Sequence, residues 1–315
     1  MTQPKILCVV GPTACGKTTL GILLAKKLDG EVVSVDSMQI YRGMTVGTAA
    51  PTEKEMDGVP HHMVAIAEPE ENWSVARFVE QADRCIQDIL RRGKLPILVG
   101  GTGLYLDAII AGRSFAPGEA GGEIRASLER RLAKEGIEPI LAQLRAVDPE
   151  SAARLPAADE KRILRALEVY LETGKTMTQH NLESQKIPQK YDPLFIGLAF
   201  RDRADMRALI DLRVDKMVEA GLLAEIEALL ERGLDRSSTA LQAIGYKEFL
   251  AAMDGESTIE EAIEEVKLRS RQYAKRQLTW LRRNESIYWI LWEKERDFSL
   301  ALRLSTDFLS AHGLQ

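Results

Sequence analysis

Four groups of residues in this sequence have the types and spacing for chemistry on a phosphate ester. The first is Gly11-Pro12-Thr13-Ala14-Cys15-Gly16-Lys17-Thr18, which satisfies G-x-x-x-x-G-K-[ST]. Its glycines let successive amides curl around a phosphate, a following helix N-terminus adds partial positive charge, and Lys17 adds a full one. Thr18 puts a hydroxyl where a magnesium ion bridging phosphates would sit, so a diphosphate or triphosphate is the expected ligand. The second is Asp36, at the end of an apolar run. A carboxylate there can hold magnesium through water or take a proton from a nucleophile; it can equally cap the turn that follows. The third is Gly100-Gly101-Thr102-Gly103-Leu104-Tyr105 after the apolar run Leu95–Val99. A nucleotide hydrolase usually carries a carboxylate at such a strand end, but none occurs here before Asp107. The loop offers amides and the Thr102 hydroxyl, and reads as a ligand loop or as a simple turn. The fourth is Arg213, which follows Met206 and Ile210 and precedes Met217 at 4-3-4 spacing. A charge on an apolar helical stripe costs several kcal/mol in order of magnitude unless paired. A structural carboxylate and a ligand phosphate serve equally well as the partner.

Other polar groups say less. His61-His62 could supply ligands or acid–base groups, although lone loop histidines are more often structural. Cys8, Cys15 and Cys85 form no CxxC, and no HExxH occurs, so neither a disulfide framework nor a zinc site is expected. Glu160-Lys161-Arg162-Ile163-Leu164-Arg165 reads as a solvated helix face or a polyanion contact. The net charge of −5 argues mildly against a polyanion partner. Yet Val266–Asn284 holds seven basic residues and no acidic one. Ile259, Ile263, Val266, Ser270, Tyr273, Gln277 and Trp280 track one face of that helix, and most of the cations lie off it, where they can meet nucleic-acid phosphates.

These residues need a scaffold, and the pattern supplies one. Apolar strands at Ile6–Val10, Glu31–Val35, Leu95–Val99 and Leu194–Phe200 alternate with amphipathic helices at Thr18–Leu28 and Ser74–Arg91. That predicts an α/β fold with a parallel sheet covered by helices on both faces. The glycine-rich segment Ala111–Gly122 and the proline-bearing segment Lys186–Pro193 read as hinges around a helical insertion. The expected core is 1–115 with 192–315, and the insertion 116–191. Long helices are expected over Asp205–Arg232 and Ser257–Arg283. An apolar share of 45% excludes wholesale disorder, and no run reaches the roughly 18 apolar residues of a membrane span. The apolar run after the N-terminus is too short for a signal peptide, so a cytoplasmic protein is expected, with a monomer as the default.

Taken together, the sequence resembles the tRNA dimethylallyltransferase (isopentenyltransferase) family. The matching stretches are Gly11–Thr18, Asp36-Ser37-Met38-Gln39-Ile-Tyr-Arg-Gly-Met44 with Gly47-Thr48-Ala49, and Pro60-His-His-Met63. Gly100–Tyr105, Arg165-Ala-Leu-Glu-Val169 and Gly174-Lys175-Thr176 follow, then Ala243-Ile-Gly245-Tyr246-Lys247-Glu248 and Lys275-Arg276-Gln277-Leu-Thr-Trp280-Leu-Arg282. They occur in family order over nearly the whole chain. Cys15 stands where the family usually has serine, a small change in a loop that works through its backbone.

The resemblance implies a P-loop core and transfer of a dimethylallyl group from dimethylallyl diphosphate to N6 of adenosine 37, in tRNAs reading codons that begin with U. It implies magnesium as cofactor, a diphosphate held by Gly11–Thr18 and Arg213, and Asp36 as general base, with Thr102 helping to hold the adenine. Implied contacts to the anticodon stem-loop are Asp36–Gln39, Thr102, Arg125, Lys161–Arg165, Gly245–Lys247, Arg276, Gln277 and Trp280. A nucleoside-type kinase would explain the P-loop and Asp36 but not the basic helix. An adenylate isopentenyltransferase would accept free nucleotide, and an RNA scaffold with a vestigial P-loop would have no reason to keep Lys17, Thr18 and Asp36.

Overall fold

The chain opens with a strand whose residues after Lys5 are all buried, β1 (Lys5–Val10), and turns through the glycine-rich loop into α1 (Lys17–Lys27). The structure is a computed structural model that describes residues 3–113, 115 and 122–314. β2 (Gly30–Val35), a short α2 (Glu53–Met56), β3 (His61–His62), α3 (Val75–Arg91), β4 (Leu95–Gly100) and α4 (Gly103–Ala111) follow. Then come five helices, α5 (Glu123–Glu135), α6 (Ile137–Val147), α7 (Pro149–Arg154), α8 (Glu160–Thr173) and α9 (Met177–Gln185). The chain returns as β5 (Asp192–Phe200), α10 (Arg203–Glu219), α11 (Leu222–Glu231), α12 (Lys247–Met253), α13 (Ile259–Leu281), β6 (Ile287–Trp292) and α14 (Phe298–Ala311).

The strands form one parallel sheet in the order β3-β2-β4-β1-β5-β6. Every residue of β2 is buried, as expected of a strand that packs helices on both faces. Leu7, Val9, Leu20, Leu24, Ile97 and Leu198 belong to one core cluster, each such side chain contributing roughly 1.5–3 kcal/mol on burial. Register then positions the chemistry. Val10 lies beside Gly100 and Gly197, and Val35 beside Gly100. Gly11, Asp36 and Gly101 therefore leave the sheet abreast, at the carboxyl edge where open α/β sheets bind ligands.

Two expectations need correction. The long helix over Asp205–Arg232 is two helices, α10 and α11, because Gly221 adopts φ 96° between them. That left-handed conformation ends a helix at little cost only for glycine. In addition, β6 and α14 lie beyond the last element read from the sequence.

Contacts divide the chain into one unit, Met1–Ile110 with Lys190–Gln315, and a second, Ala111–Gln189. The second unit has its own core of Leu128, Ile140, Leu141, Leu144, Ile163, Leu164 and Leu167. Within it Asp148 caps α7 through Ser151 N (3.1 Å) and accepts from Thr178 N and Oγ1 (3.1 and 2.6 Å), which ties α7 to the start of α9. Most of the segment 111–122 read as a hinge lies outside the described residues.

Candidate active site

The loop between β1 and α1 is held open by its neighbours. Lys17 Nζ donates to the Pro12 carbonyl at 2.7 Å, and the Thr13 amide donates to Gln277 Oε1 at 2.9 Å. Cys15 is fully buried, and its carbonyl accepts from Trp292 Nε1 at 2.8 Å. Burial pushes the Cys15 thiol well above the usual range, so it is no nucleophile. Gly16 stands at the N-cap of α1 and offers no side-chain acceptor. The first amides of α1 therefore keep their capacity for an anion.

Three cavities meet at this edge. Lys17, Thr18, Arg213, Lys216 and Arg296 line one of about 550 Å³. Asp36, Ser37, Met38, Arg213, Tyr273 and Arg276 line another of about 310 Å³. Between them a waist of about 80 Å³ is lined by Thr13, Lys17, Thr18, Asp36, Gly101, Arg213, Tyr273 and Gln277. Arg213 borders all three. Its only hydrogen bond among the described residues is a long one to the Thr48 carbonyl, at 3.5 Å. Burial lowers its pKa, while the Asp36 carboxylate acts in the opposite direction. Lys17 is likewise lowered chiefly by burial, with Arg213 adding to the effect and Asp36 opposing it. At the waist two cations thus face one carboxylate, while Glu55 and Asp57 join four cations around the largest of the three cavities, and the surplus of positive charge favours a polyanionic guest.

Asp36 Oδ1 accepts from the amides of Met38 (2.9 Å) and, more weakly, Gln39 (3.4 Å). It does cap the turn, and no described residue hydrogen-bonds to Oδ2. Thr102 Oγ1 is buried without a well-formed hydrogen bond, although the Tyr273 hydroxyl lies beside it. An unsatisfied buried hydroxyl costs on the order of 1–3 kcal/mol. Thr102 itself lines none of the three cavities; its neighbours Gly101 and Tyr273 line the waist. Burial pushes Tyr105 up to about 12, with Asp36 and Tyr273 adding to it, and its ring packs 4.6 Å from Phe78.

The second glycine loop and α13 explain one another. A Cβ on Gly101 would overlap the Gln277 amide, and one on Gly103 would overlap the Trp280 indole. Only glycine at these positions lets α13 approach closely enough for Gln277 to bind the Thr13 amide. Gln277 is 6% exposed, so it braces the loop from within.

Gln39 and His61 also line the waist, each held by partners of its own, and the other predicted residues fall elsewhere. Gln39 is tied to Ser34 Oγ (2.9 Å) and to the Thr48 and Ala49 carbonyls (both 3.3 Å). His61 Nδ1 pairs with the Val59 carbonyl and His62 Nε2 with Glu31, each at 2.8 Å. Among the described residues no group of three or more His, Cys, Asp or Glu could hold a metal. Lys161, Arg162, Arg165 and Arg125 belong to the helical unit. There Lys161 and Arg162 are exposed, and Arg165 Nη1 meets buried Glu168 at 3.0 Å, with Arg125 at 3.9 Å. Ile163, Leu164, Gly245 and Tyr246 need correction as RNA contacts. Ile163 and Leu164 are 0% and 1% exposed inside the helical core. Gly245 is buried, and fully buried Tyr246 donates to Glu225 Oε1 at 2.5 Å. Lys247 beside them is exposed.

The family model for IPP transferase matches residues 39–284, and that for isopentenyl transferase matches 4–65. The chain belongs to the IPP transferase family. A tRNA dimethylallyltransferase of Bacillus mycoides is 46% identical over 287 residues, covering 91% of this chain and 90% of that protein. The full-length tRNA isopentenylpyrophosphate transferase of Bacillus halodurans superposes with a TM-score of 0.73 at 40% identity, over 98% of this chain and 96% of that one. A eukaryotic dimethylallyltransferase acting on tRNA gives a TM-score of 0.82 at 32% identity, over 98% and 80%.

In this IPP transferase several residues around the site were not singled out from sequence. Glu225 accepts from the amides of Thr45 (2.8 Å), Val46 (2.8 Å) and Gly47 (3.0 Å), fixing the loop whose Thr48 carbonyl meets Arg213. Gln242, Ala243 and Ile244 line the 310 Å³ cavity. Trp292, Arg296 and Phe298 reach the P-loop from beyond residue 284. Gln277, expected as an RNA contact, is a buried amide on the apolar stripe of α13 and binds the Thr13 amide.

Proposed function

We propose that this protein transfers the dimethylallyl group of dimethylallyl diphosphate to N6 of adenosine 37 in tRNA. The observation that carries the reading is the Asp36 carboxylate at a waist between two cavities, one lined by the P-loop and cations, the other by Tyr273 and Arg276. A diphosphate in the first cavity and an adenine in the second would meet at Asp36.

In this mechanism Gly11–Thr18, Lys17 and Arg213 bind the diphosphate and stabilise the charge that grows as the C1–O bond breaks. Donors aimed at developing charge are worth on the order of 3 kcal/mol each. The adenine amine is a weak nucleophile because its lone pair is delocalised into the ring. Asp36 Oδ2 orients it and takes its proton as the N6–C1 bond forms, and diphosphate leaves with the C–O electron pair. Thr102 Oγ1 supplies a hydrogen-bond partner for the base. The narrow waist excludes water from the allylic carbon. A base in a loop leaves its stack cheaply, because it is not paired within a duplex.

Magnesium fits the donor set. The Thr18 hydroxyl makes no side-chain hydrogen bond among the described residues and borders the waist with Asp36. The hydroxyl and the phosphate oxygens are hard ligands of the kind magnesium takes, with water completing the set and Asp36 reached through that water. Bound there, it would neutralise charge on the leaving diphosphate. The remaining RNA contacts are assigned to Ser37, Met38, Arg276 and Trp280 on the core and to Arg125, Lys161, Arg162 and Arg165 on the helical unit, which would grip the anticodon stem.

The test is transfer from labelled dimethylallyl diphosphate with magnesium and without ATP, to unmodified tRNA carrying A36-A37-A38, with AMP in parallel. Label on adenosine 37 is expected. Label on AMP alone would make the acceptor a free nucleotide, and ATP turnover without prenyl transfer would make the protein a kinase.

A further inference from the structure

The segment that follows β6 carries no role in the reading above, yet it closes on the P-loop. Trp292 Nε1 binds the Cys15 carbonyl at 2.8 Å. Phe298 packs edge-on against Trp292 with ring centroids 5.5 Å apart. A Cβ on Gly16 would lie 2.7 Å from Phe298 Cζ, so that ring sits over the loop's second glycine. Between these anchors Arg296 extends its guanidinium to the Ala14 carbonyl at 3.4 Å and over the Phe298 ring at 5.8 Å.

Among the described residues Arg296 pairs with no carboxylate. Asp297, next to it, caps α14 through the Leu300 amide (2.9 Å), and Glu293 pairs with Arg201 (2.8 Å). No carboxylate lies within ion-pairing distance of Arg296 among the described residues. Its side chain is exposed and borders the 550 Å³ cavity together with Lys17, Thr18, Arg213 and Lys216. One long hydrogen bond leaves most of its donors unused. A planar guanidinium matches two phosphate oxygens at once.

From this arrangement we infer that Arg296 is a further diphosphate-binding residue, a cation delivered by the C-terminal segment onto the leaving group. The inference rests on the proposed reaction and deepens it. Lys17 comes from the P-loop, Arg213 from α10 and Arg296 from the loop before α14, so three separate segments converge on one anion. The diphosphate released when the C1–O bond breaks carries more negative charge than Lys17 and Arg213 alone neutralise. The aromatic anchors fix the backbone of the loop, while the exposed side chain of Arg296 is free to swing to a phosphate.

The experiment compares wild type, Arg296→Ala, Arg296→Lys and the control Arg303→Ala, an exposed arginine on α14 outside the cavity. For each, the KM for dimethylallyl diphosphate, inhibition by inorganic diphosphate, tRNA affinity and Tm are measured. Arg296→Ala should raise both the KM and the diphosphate inhibition constant about tenfold, leave tRNA affinity and Tm unchanged, and be partly rescued by lysine. Unchanged diphosphate constants would overturn the inference. So would an equal effect of Arg303→Ala, or a fall in Tm and tRNA affinity that accounts for the loss. Calorimetric binding of diphosphate with magnesium reads the same contact without turnover. If wild type transferred nothing but bound diphosphate through Arg296, the proposed reaction would fail and this contact would stand.

Discussion

At Asp36 the two carboxylate oxygens have different surroundings. Oδ1 is engaged by the Met38 and Gln39 amides, and Oδ2 makes no hydrogen bond to a described residue. One side chain therefore both shapes the turn and serves as the proposed base, and two substitutions separate these roles. Asparagine keeps an oxygen for the two amides but cannot accept a proton, whereas alanine loses both functions. Both variants should lower transfer by about 10²–10⁴-fold, the usual contribution of a positioned base. Only Asp36→Ala should also lower the unfolding free energy, by the roughly 1 kcal/mol of a lost cap, seen as a lower Tm. tRNA affinity should stay within a few fold for both, measured by filter binding. Near-normal turnover in Asp36→Asn would sink the general-base role.

The active-site edge is an assembly of elements, and its tightest joint is α13 against the two glycine loops. Gln277→Leu keeps the volume but strands the Thr13 amide inside the protein. It should cost on the order of 1–3 kcal/mol, measured by urea unfolding, and should raise the KM for dimethylallyl diphosphate because the P-loop loses its brace. Unchanged stability and KM would mean that the amide finds another partner. This joint also shows what was legible in the sequence. β1, β2, β4 and β5 were readable because buried parallel strands are continuous apolar runs, and the P-loop because its spacing is strict. The close approach of Gly101 and Gly103 to Gln277 and Trp280 was not, since residues so far apart in the chain give no local signal of contact. The break at Gly221 was hidden because apolar periodicity continues across it. Tyr246 matched a family stretch, but a match does not distinguish a buried tyrosine bound to Glu225 from one that meets RNA. A further joint ties β2 to β3 and α3. Glu31, 3% exposed in its side chain, binds Arg92 Nη2 (2.7 Å) and Nη1 and accepts from His62. Arg92 first, and His62 after it, hold its carboxyl at about 2 against burial. A carboxyl lowered in the folded state stabilises above its unfolded pKa of about 4.3, and that contribution is lost as pH falls toward 2. With Arg92 partly in water, the effect should be on the order of 2 kcal/mol. Glu31→Gln should flatten the fall in urea-unfolding free energy between pH 5 and pH 2. An unaltered slope would assign acid lability to other carboxylates.

Over the whole molecule the net charge is −5, which would repel RNA if spread evenly. It is not spread evenly, and the ion pairs show where. Along α13, Lys267 is neutralised by Asp215 (2.8 Å) and Glu264 (3.0 Å), Arg269 by Glu265 (2.6 Å), and Arg271 by Asp211 (2.6 Å). Lys275, Arg276, Arg282 and Arg283 have no carboxylate partner among the described residues. Arg276 and Arg283 instead lie over the rings of Tyr273 (5.7 Å) and Trp280 (5.3 Å). Lys275, Arg276, Thr279, Trp280 and Arg283 also surround a further cavity of about 370 Å³. One helix thus carries a first half whose cations are paired, within α13 and with Asp211 and Asp215 of α10, and an uncompensated second half beside the cavity that borders Asp36. A phosphate strand bound there releases counterions, so affinity should fall steeply with salt, and each free cation that contacts a phosphate should add about 0.7–0.9 to the log–log slope. Replacing Lys275, Arg276 or Arg283 by alanine should therefore reduce that slope by about one each, read from tRNA binding between 50 and 300 mM salt. Lys267→Ala and Arg269→Ala should leave it alone, because those charges are already paired. If the paired and unpaired cations changed the slope equally, the RNA would be responding to net charge, and the second half of α13 would not be its docking surface.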